Sequence, residues 1–281
     1  MTGYLRPATL ADAVAAHAAH PDWMVLAGGT DLMVNANHRS APPGIVDLCG
    51  CAELRGIVRD ADTIRIAAGT TWLDIIGHEW VVAQVPILAA AAGEIGALQI
   101  QARGTIGGNI VTSSPVGDSL PVLLALDATL ELASPRGRRD VPYRSFTTGY
   151  RTTVLAADEL IAAITIPVPA AGTRLAWRKV GTRAAQSISK VMAAAAIHVE
   201  HGLISWARFG LGAVAERPIR AAAAEAAATG RPPDADTGRA VAVALADEIR
   251  PITDVRSAAD YRLEVAQSLL MRFVINAGKL P

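Results

Sequence analysis

Residues 26–32 read Leu26-Ala27-Gly28-Gly29-Thr30-Asp31-Leu32, and this stretch decides how the first part of the chain folds. It follows a short apolar run, residues 23–27 (WMVLA), so the pattern predicts a buried strand that ends in a tight loop. The paired glycines permit positive φ and the close approach of another backbone or of a ligand. Successive exposed amides and the Thr30 hydroxyl suit an anion such as phosphate, whereas Asp31 is better suited to capping the following turn.

A second glycine-pair segment, residues 104–109 (GTIGGN), offers the same combination of small residues, a hydroxyl and unobstructed amides. It matches neither the G-x-G-x-x-G dinucleotide fingerprint nor the P-loop, which requires Gly-Lys followed by Ser or Thr. Two such segments, each after an apolar run, suggest a ligand whose phosphates are held from two sides. Two purely structural turns explain the same residues equally well.

Composition and charge exclude several classes of function. Lys plus Arg and Asp plus Glu number 26 each in the 281 residues, so the chain lacks the basic field that favours nucleic acid or an anionic membrane surface. No apolar stretch has the length of a signal peptide or a membrane span. The sequence therefore predicts a soluble, cytoplasmic protein with neither nucleic acid nor membrane as a partner.

The chain has two cysteines, Cys49 and Cys51, and six histidines. In an extended segment the two thiols would share one face, which leaves a disulfide, a metal or a redox role open beside the ordinary interpretation of buried thiols. Two thiols are too few to hold an iron–sulfur cluster alone. His17, His20, His78, His198 and His201 show no convergent ligand set, so we interpret them as structural or solvated and predict no metal site. The basic residues Arg136, Arg138 and Arg139 predict a solvated hairpin tip.

Apolar periodicity predicts a mixed α and β chain in two domains. Helices are predicted at residues 9–20, 73–76, 86–95 and 121–128, and strands at 23–27, 45–48, 64–67 and 160–167. Pro167, Pro169 and Gly172 then break the pattern, which places a domain boundary near residues 168–172. Beyond it we predict strands at 176–179, 193–200 and 204–211, followed by helices at 219–228, 238–249 and 258–277. A three-stranded sheet with helices packed on one face is the expected second domain.

The two glycine segments, LAGGTDL and TIGGN, resemble the FAD-binding signatures of the medium subunits of molybdenum hydroxylases, the xanthine dehydrogenase and carbon monoxide dehydrogenase family. Other stretches are similar to that family in order and spacing: residues 67–71 (AAGTT), 114–118 (SPVGD), 123–128 (LLALDA), 159–167, 178–183 (RKVGTR), 187–191 (SISKV), 251–254 (PITD) and 261–262 (YR). The resemblance covers essentially the whole chain. It implies an α+β protein with a two-part FAD-binding domain at residues 1–170, divided into about 1–55 and 56–170, and a smaller α+β domain at 171–281.

The same resemblance implies noncovalent FAD, because Thr30 lies within the first loop and no histidine has the context that covalent attachment uses. The implied FAD-binding residues are Leu26, Ala27, Gly28, Gly29, Thr30, Asp31, Leu32, Ile95, Thr105, Ile106, Gly107, Gly108, Asn109, Asp118, Leu160, Ile161 and Lys190. Backbone amides of residues 27–31 and 105–109 would hold the diphosphate. Asp118 would lie near the ribityl or adenosine portion, and Lys190 close to the isoalloxazine, where its charge would favour the anionic reduced flavin.

Some of these positions have ordinary structural interpretations. Leu160 and Ile161 would lie near the ring or the adenine, but core packing explains them and Ile95 equally well. For Lys190 the alternative is a solvated surface lysine. No residue is assigned a catalytic role from the sequence, apart from the flavin-tuning role that the resemblance implies for Lys190.

As a function, the resemblance implies an electron-transfer subunit that relays electrons to an external acceptor such as NAD, a quinone or oxygen. The expected partners are a small subunit with 2Fe-2S iron–sulfur clusters and a large molybdopterin-binding subunit that oxidises the substrate, paired as a dimer of heterotrimers. Residues 179–191 are somewhat more similar to purine or N-heterocycle hydroxylases than to carbon monoxide dehydrogenases. One alternative is a free-standing FAD oxidoreductase of the same fold, although the second domain lacks a convincing acid–base pair. Another is an assembly subunit without flavin, which the intact glycine pairs argue against.

Overall fold

The N-terminal part of the chain is built on a parallel three-stranded sheet in the order β1–β3–β2. The computed structural model describes residues 3–34, 40–183 and 186–279. This first part contains β1 (Gly3–Leu5), α1 (Leu10–Ala19), β2 (Met24–Leu26) and β3 (Gly44–Asp47). The Thr9 side chain caps α1 by accepting from the Asp12 amide, and α1 confirms the helix predicted at residues 9–20. β2 and β3 confirm two predicted strands, whereas β1 is too short to produce a periodicity signal.

A five-stranded antiparallel sheet in the order β4–β5–β10–β6–β7 forms the centre of the chain. Its strands are β4 (Ile57–Arg59), β5 (Thr63–Ala67), β6 (Thr129–Ser134), β7 (Gly137–Pro142) and β10 (Leu160–Pro167). The accompanying helices are α2 (Trp72–Gly77), α3 (Glu79–Gln84), α4 (Pro86–Gly93), α5 (Leu98–Gln101), α6 (Ile106–Thr112) and α7 (Leu120–Ala125), and β8 (Thr147–Gly149) pairs with β9 (Thr152–Thr153) in a separate two-stranded sheet. In the middle of the sheet Ile164 pairs with Ile66 and Leu130, and all three are fully buried. This apolar layer explains why β10 was predicted with its correct bounds.

The C-terminal part is a four-stranded antiparallel sheet followed by three helices. Its elements are β11 (Thr173–Val180), β12 (Val191–Glu200), β13 (Leu203–Gly212), β14 (Ile219–Arg220), α8 (Ala222–Ala228), α9 (Ala235–Ala246) and α10 (Ala259–Ala277). The three long strands and three helices were predicted, but the expected three-stranded sheet is wrong. Residues 219–220 add a fourth strand by pairing with Gly210 and Leu211, and two residues are too few to reveal a period of two.

Two other predictions of local structure are also wrong. The glycine pair of residues 107–108 lies in the first turn of α6 and not in a loop, because the Thr105 side chain caps the helix by accepting from the Gly108 amide. Residues 48–50 form a turn of 3₁₀ helix instead of an extended segment, so Cys49 and Cys51 do not share a strand face.

The C-terminal sheet packs between two sets of helices. On one side its apolar residues form a core with α8, α9 and α10. On the other side β12 and β13 pack against α7 of the preceding part, where a Cβ at Gly210 would lie 2.0 Å from the Pro121 carbonyl oxygen. The predicted boundary at residues 168–172 lies between β10 and β11. No helix in the described part of the chain is both long and apolar enough to cross a membrane.

Candidate functional site

A cavity of about 670 Å³ lies where the loop after β2, the start of α6 and the end of the central sheet meet. Its wall contains every residue that the sequence predicted for the site except Leu26, Ile106 and Lys190: Ala27, Gly28, Gly29, Thr30, Asp31, Leu32, Ile95, Thr105, Gly107, Gly108, Asn109, Asp118, Leu160 and Ile161. The fold thus brings together segments that are more than a hundred residues apart in the chain. A cavity of this size suits a large cofactor.

The glycines of the first loop allow the two predicted segments to touch. A Cβ at Gly28 would lie 2.1 Å from the carbonyl oxygen of Arg103, a distance that no side chain tolerates. Gly29 has a φ of 76°, in the left-handed region that favours glycine. The predicted close approach of another backbone is therefore confirmed for Gly28.

The two segments differ in the state of their backbone amides. In α6 the Ile106 amide donates to the Thr70 carbonyl at 3.1 Å, and the Gly107 amide donates to the Ala68 carbonyl at 2.8 Å. These bonds give the stretch at residues 67–71 a structural role, because its carbonyl oxygens hold the start of α6 in place. By contrast, the amides of residues 28–31 have no acceptor within the described ranges. The first loop therefore has backbone donors to offer a ligand, whereas those of α6 are largely used within the protein.

Two side chains at the start of α6 also retain donors. The Thr105 hydroxyl oxygen accepts from the Gly108 amide, and Ser119 donates its hydroxyl to the Asn109 side-chain oxygen at 2.8 Å. Among the residues described, the Thr105 hydroxyl hydrogen and the Asn109 side-chain nitrogen donate to no other group. Together with the amides of residues 28–31, these donors fit the diphosphate of FAD.

Asp118 lies in the cavity wall and is held by the C-terminal part of the chain. Lys179 places its Nζ 2.7 Å from Oδ2 of Asp118, and Ser189 donates its hydroxyl to Oδ1 at 2.8 Å. The Lys179 Nζ also lies 3.4 Å from the Glu94 carbonyl oxygen. Burial raises the pKa of the Asp118 carboxyl, and the adjacent Lys179 ammonium opposes that rise. Sequence reasoning missed Lys179, although it is one of only three lysines among 26 basic residues.

Lys190 does not line the cavity in this structure. Its Nζ lies 5.3 Å from the centre of the Tyr261 ring, and its carbonyl oxygen accepts from Nη1 of Arg262 at 2.6 Å. Arg262 is buried and also pairs with Asp254 at 2.8 Å. The stretches at residues 251–254 and 261–262 therefore support the backbone that carries Ser189 and Lys190.

The remaining candidate residues have local explanations. Cys51 is buried, while Cys49 is half-buried in the cavity wall and donates its thiol to the Ala27 carbonyl at 3.1 Å; both are free thiols. Burial raises the pKa of both thiols. His17 also lines the cavity, and burial lowers its pKa. No group of three or more residues that could hold a metal ion occurs within the described ranges.

The basic turn predicted at residues 136–139 is the tip of the β6–β7 hairpin. Its arginines form ion pairs within the chain: Arg136 with Asp158, Arg138 with Glu131, and Arg139 with Glu159 at 2.6 Å. These pairs stabilise the edge of the central sheet, and Glu159, the buried partner of Arg139, also lies in the cavity wall.

Fold and site together define a two-part α+β protein whose cavity is lined by backbone amides, those of residues 28–31, that donate to no acceptor in the described part of the chain. Residues 1–169 match the family described as the FAD binding domain in molybdopterin dehydrogenase, and residues 176–277 match the CO dehydrogenase flavoprotein C-terminal domain. The chain therefore belongs to the FAD-binding subunits of the molybdenum hydroxylase family. It is an FAD-dependent oxidoreductase subunit.

Individual relatives match over nearly their whole length. The chain is 35% identical over 277 residues to the xanthine dehydrogenase FAD-binding subunit of Escherichia coli O157:H7, covering 98% of this chain and 95% of the relative. It is also 35% identical to the carbon monoxide dehydrogenase medium chain of Afipia carboxidovorans, covering 98% and 96%. A solved structure of reconstituted CO dehydrogenase from Oligotropha carboxidovorans superimposes with a TM-score of 0.94 at 31% identity, covering 99% of this chain and 98% of that one.

Proposed function

We propose that this chain is the electron-transfer subunit of a multi-subunit molybdenum hydroxylase. Its role is to relay electrons from the 2Fe-2S clusters of a small partner subunit to an external acceptor. The observation that carries the proposal is the cavity, in which both family signatures meet and the amides of residues 28–31 donate to no acceptor among the residues that the structure describes. Bound FAD supplies the one- and two-electron redox chemistry, while the chain binds and orients the cofactor and tunes its redox potential.

Each part of the cavity wall has a proposed role toward noncovalent FAD. The amides of residues 28–31 and the Thr105 hydroxyl bind the diphosphate, and the Asn109 side chain donates a further hydrogen bond. Asp118 accepts from the ribityl or adenosine portion. Ile95, Leu160 and Ile161 form apolar wall, and the last two are buried enough to serve as core as well.

The proposed partners follow from the names of the relatives. One relative is an FAD-binding subunit and another a medium chain, so each is a part of a larger dehydrogenase. For this chain we propose a small iron–sulfur subunit and a large molybdopterin-binding subunit, assembled in the cytoplasm as a dimer of heterotrimers. In that assembly the substrate is oxidised on the large subunit.

Purification of the chain from its native source, with the polypeptides that accompany it, tests this proposal. The visible absorption spectrum should show flavin bands together with iron–sulfur absorption, and two further polypeptides should copurify. Flavin bands in a lone chain that turns over a small substrate would instead identify a free-standing FAD oxidoreductase. Absence of flavin from the native protein would overturn the proposal.

A further inference from the structure

We propose that Lys179 is a positioning residue for FAD. By holding the Asp118 carboxylate in the cavity wall, it couples cofactor binding to the packing of the C-terminal sheet against the FAD-binding part of the chain. The inference rests on the proposed function, because Asp118 must contact the cofactor for Lys179 to act through it.

The geometry supports a dedicated contact. Lys179 lies near the end of β11 and is only 9% exposed, and its Nζ lies 2.7 Å from Oδ2 of Asp118. Ser189, just before β12, donates to the other carboxylate oxygen at 2.8 Å. Lys179 lies on β11 and Ser189 just before β12, both in the C-terminal part, whereas Asp118 precedes α7 in the chain. Each oxygen of Asp118 retains a lone pair that can accept from a hydroxyl or N–H group of a ligand.

The choice of lysine at this position is specific. The chain has 23 arginines and only three lysines, so a lysine is not the ordinary cation of this sequence. An ammonium is a compact charge with three donors, which fits between a carboxylate and the Glu94 carbonyl oxygen where a planar guanidinium would need more room. A buried charge is tolerated when it is paired and hydrogen-bonded, as Lys179 is.

Lys179 also favours the charged form of Asp118. Burial raises the pKa of Asp118, and the Lys179 ammonium and the Ser189 hydroxyl lower it. The other charged groups here are Glu94, whose own pKa is raised by burial, and Arg178, which acts on Glu94. Without Lys179, burial and the nearby Glu94 would both favour a neutral Asp118. A neutral carboxyl is a weaker acceptor than a carboxylate, so the cofactor would lose a charge-assisted hydrogen bond.

The test measures FAD binding to the full chain after its flavin has been removed, with flavin fluorescence as the readout. The titrations are made between about pH 5.5 and 8.5, a range in which ordinary carboxyls stay ionised. Wild-type binding should change little with pH. For Lys179→Met we expect the Kd for FAD to rise about tenfold at neutral pH, because the complex loses roughly one charge-assisted hydrogen bond. The affinity of this variant should fall further as the pH decreases, because Asp118 then becomes protonated. Lys279→Met, which removes an exposed lysine near the end of the chain, should bind like wild type.

Two further variants assign the effect to Asp118. Asp118→Asn should bind FAD weakly at every pH, and adding Lys179→Met to it should weaken binding no further. In a variant that combines Lys179→Met with Glu94→Gln, the pH dependence should persist, because it belongs to Asp118. Loss of the pH dependence in that combined variant would assign the titration to Glu94 and overturn the inference.

The outcomes separate this inference from the proposed function. Wild-type affinity and a flat pH profile in a folded Lys179→Met chain would overturn the inference alone. Failure of the wild-type chain to bind FAD would overturn the proposed function. If Lys179→Met does not fold, Lys179→Gln decides, since it keeps a polar donor at this position but removes the ammonium: weaker, pH-dependent FAD binding supports the inference, and wild-type binding overturns it.

Discussion

At the scale of single residues, Gly28 and Gly107 of the cavity wall allow backbone segments to pack closely against each other. Gly28 lies against the Arg103 carbonyl, and a Cβ at Gly107 would lie 2.7 Å from the Ala68 carbonyl oxygen. These contacts hold the first loop against the start of α6. The amides of residues 28–31 can then face the cavity together because the loop is fixed on its other side.

The first prediction concerns Gly28. Gly28→Ala should destabilise the chain by about 1–3 kcal/mol and weaken FAD binding strongly, because the added methyl group forces the first loop away from Arg103. Gly77→Ala is the matched control, since a Cβ there meets nothing within 4 Å and Gly77 ends a helix. Urea unfolding and FAD titration of both variants provide the measurement. Equal behaviour of the two variants would contradict this account of the loop.

The second prediction concerns the redox role implied for Lys190. Its ammonium now lies over Tyr261, so a position close to the isoalloxazine requires the side chain to leave that ring. If it does so, Lys190→Met should lower the midpoint potential of the bound flavin, because a nearby positive charge stabilises the anionic reduced form by about 1 kcal/mol or more. Spectroelectrochemical titration of the flavin measures this, with Lys279→Met as the control. An unchanged potential with normal turnover removes Lys190 from the site.

At the scale of elements, α10 supports the backbone just before β12, where Ser189 contacts Asp118 of the cavity wall. Arg262 is buried in this helix and donates from Nη1 to the carbonyls of Lys190 and Ala213 at 2.6 and 3.1 Å. It also pairs with Asp254, whose pKa is lowered to about 2 by backbone N–H groups and by Arg262 itself. Arg262 thus holds the backbone at Lys190, the residue that follows Ser189.

The third prediction follows from this support. Arg262→Met should lower the free energy of unfolding by about 3 kcal/mol, because two buried carbonyls lose a charged donor. FAD binding should weaken as a consequence, since Ser189 and Asp118 lose their alignment. Arg272→Met, which changes an exposed arginine of the same helix, is the control. Denaturant unfolding of the two variants gives the comparison, and a loss no larger than that of the control would show that Arg262 is dispensable.

At the scale of the whole molecule, the cavity lies in the first part of the chain but depends on the second. The C-terminal sheet packs on α7 through the contact of Gly210 with Pro121, and Lys179 and Ser189 of the C-terminal part bind Asp118 in the cavity wall. A ligand that orders the cavity wall therefore stabilises both parts together.

The fourth prediction is a single, FAD-dependent shift of thermal unfolding. At an FAD concentration about a hundredfold above Kd, the folded chain should gain about 2.7 kcal/mol. Circular dichroism should record one transition that moves to higher temperature, because the two parts share the Asp118 contacts. Gly28→Ala should show a much smaller shift at the same FAD concentration. Two separate transitions, with only one of them moved by FAD, would show that the C-terminal part is not coupled to the cavity.

The sequence alone determined those features that depend on local chemistry. Apolar runs predicted the long strands β10, β12 and β13, and the first glycine pair predicted the tight loop after β2. These signals work because a strand period, a cap such as Thr9, or a glycine acts within a few residues. The family resemblance used the same local segments and is confirmed across the whole chain.

Only the tertiary structure decided which backbone amides are engaged within the protein and which lysine binds Asp118 in the cavity wall. Four residues of α6 were expected to bind a ligand through their amides, yet those of Ile106 and Gly107 are engaged by the carbonyls of residues 68–70. Lys190 lies within the family-like stretch SISKV, residues 187–191. The lysine that contacts Asp118 is instead Lys179, which lies 61 residues after Asp118 in the chain. Such pairings depend on how distant strands pack, and no periodicity or turn signal reports contacts over that separation.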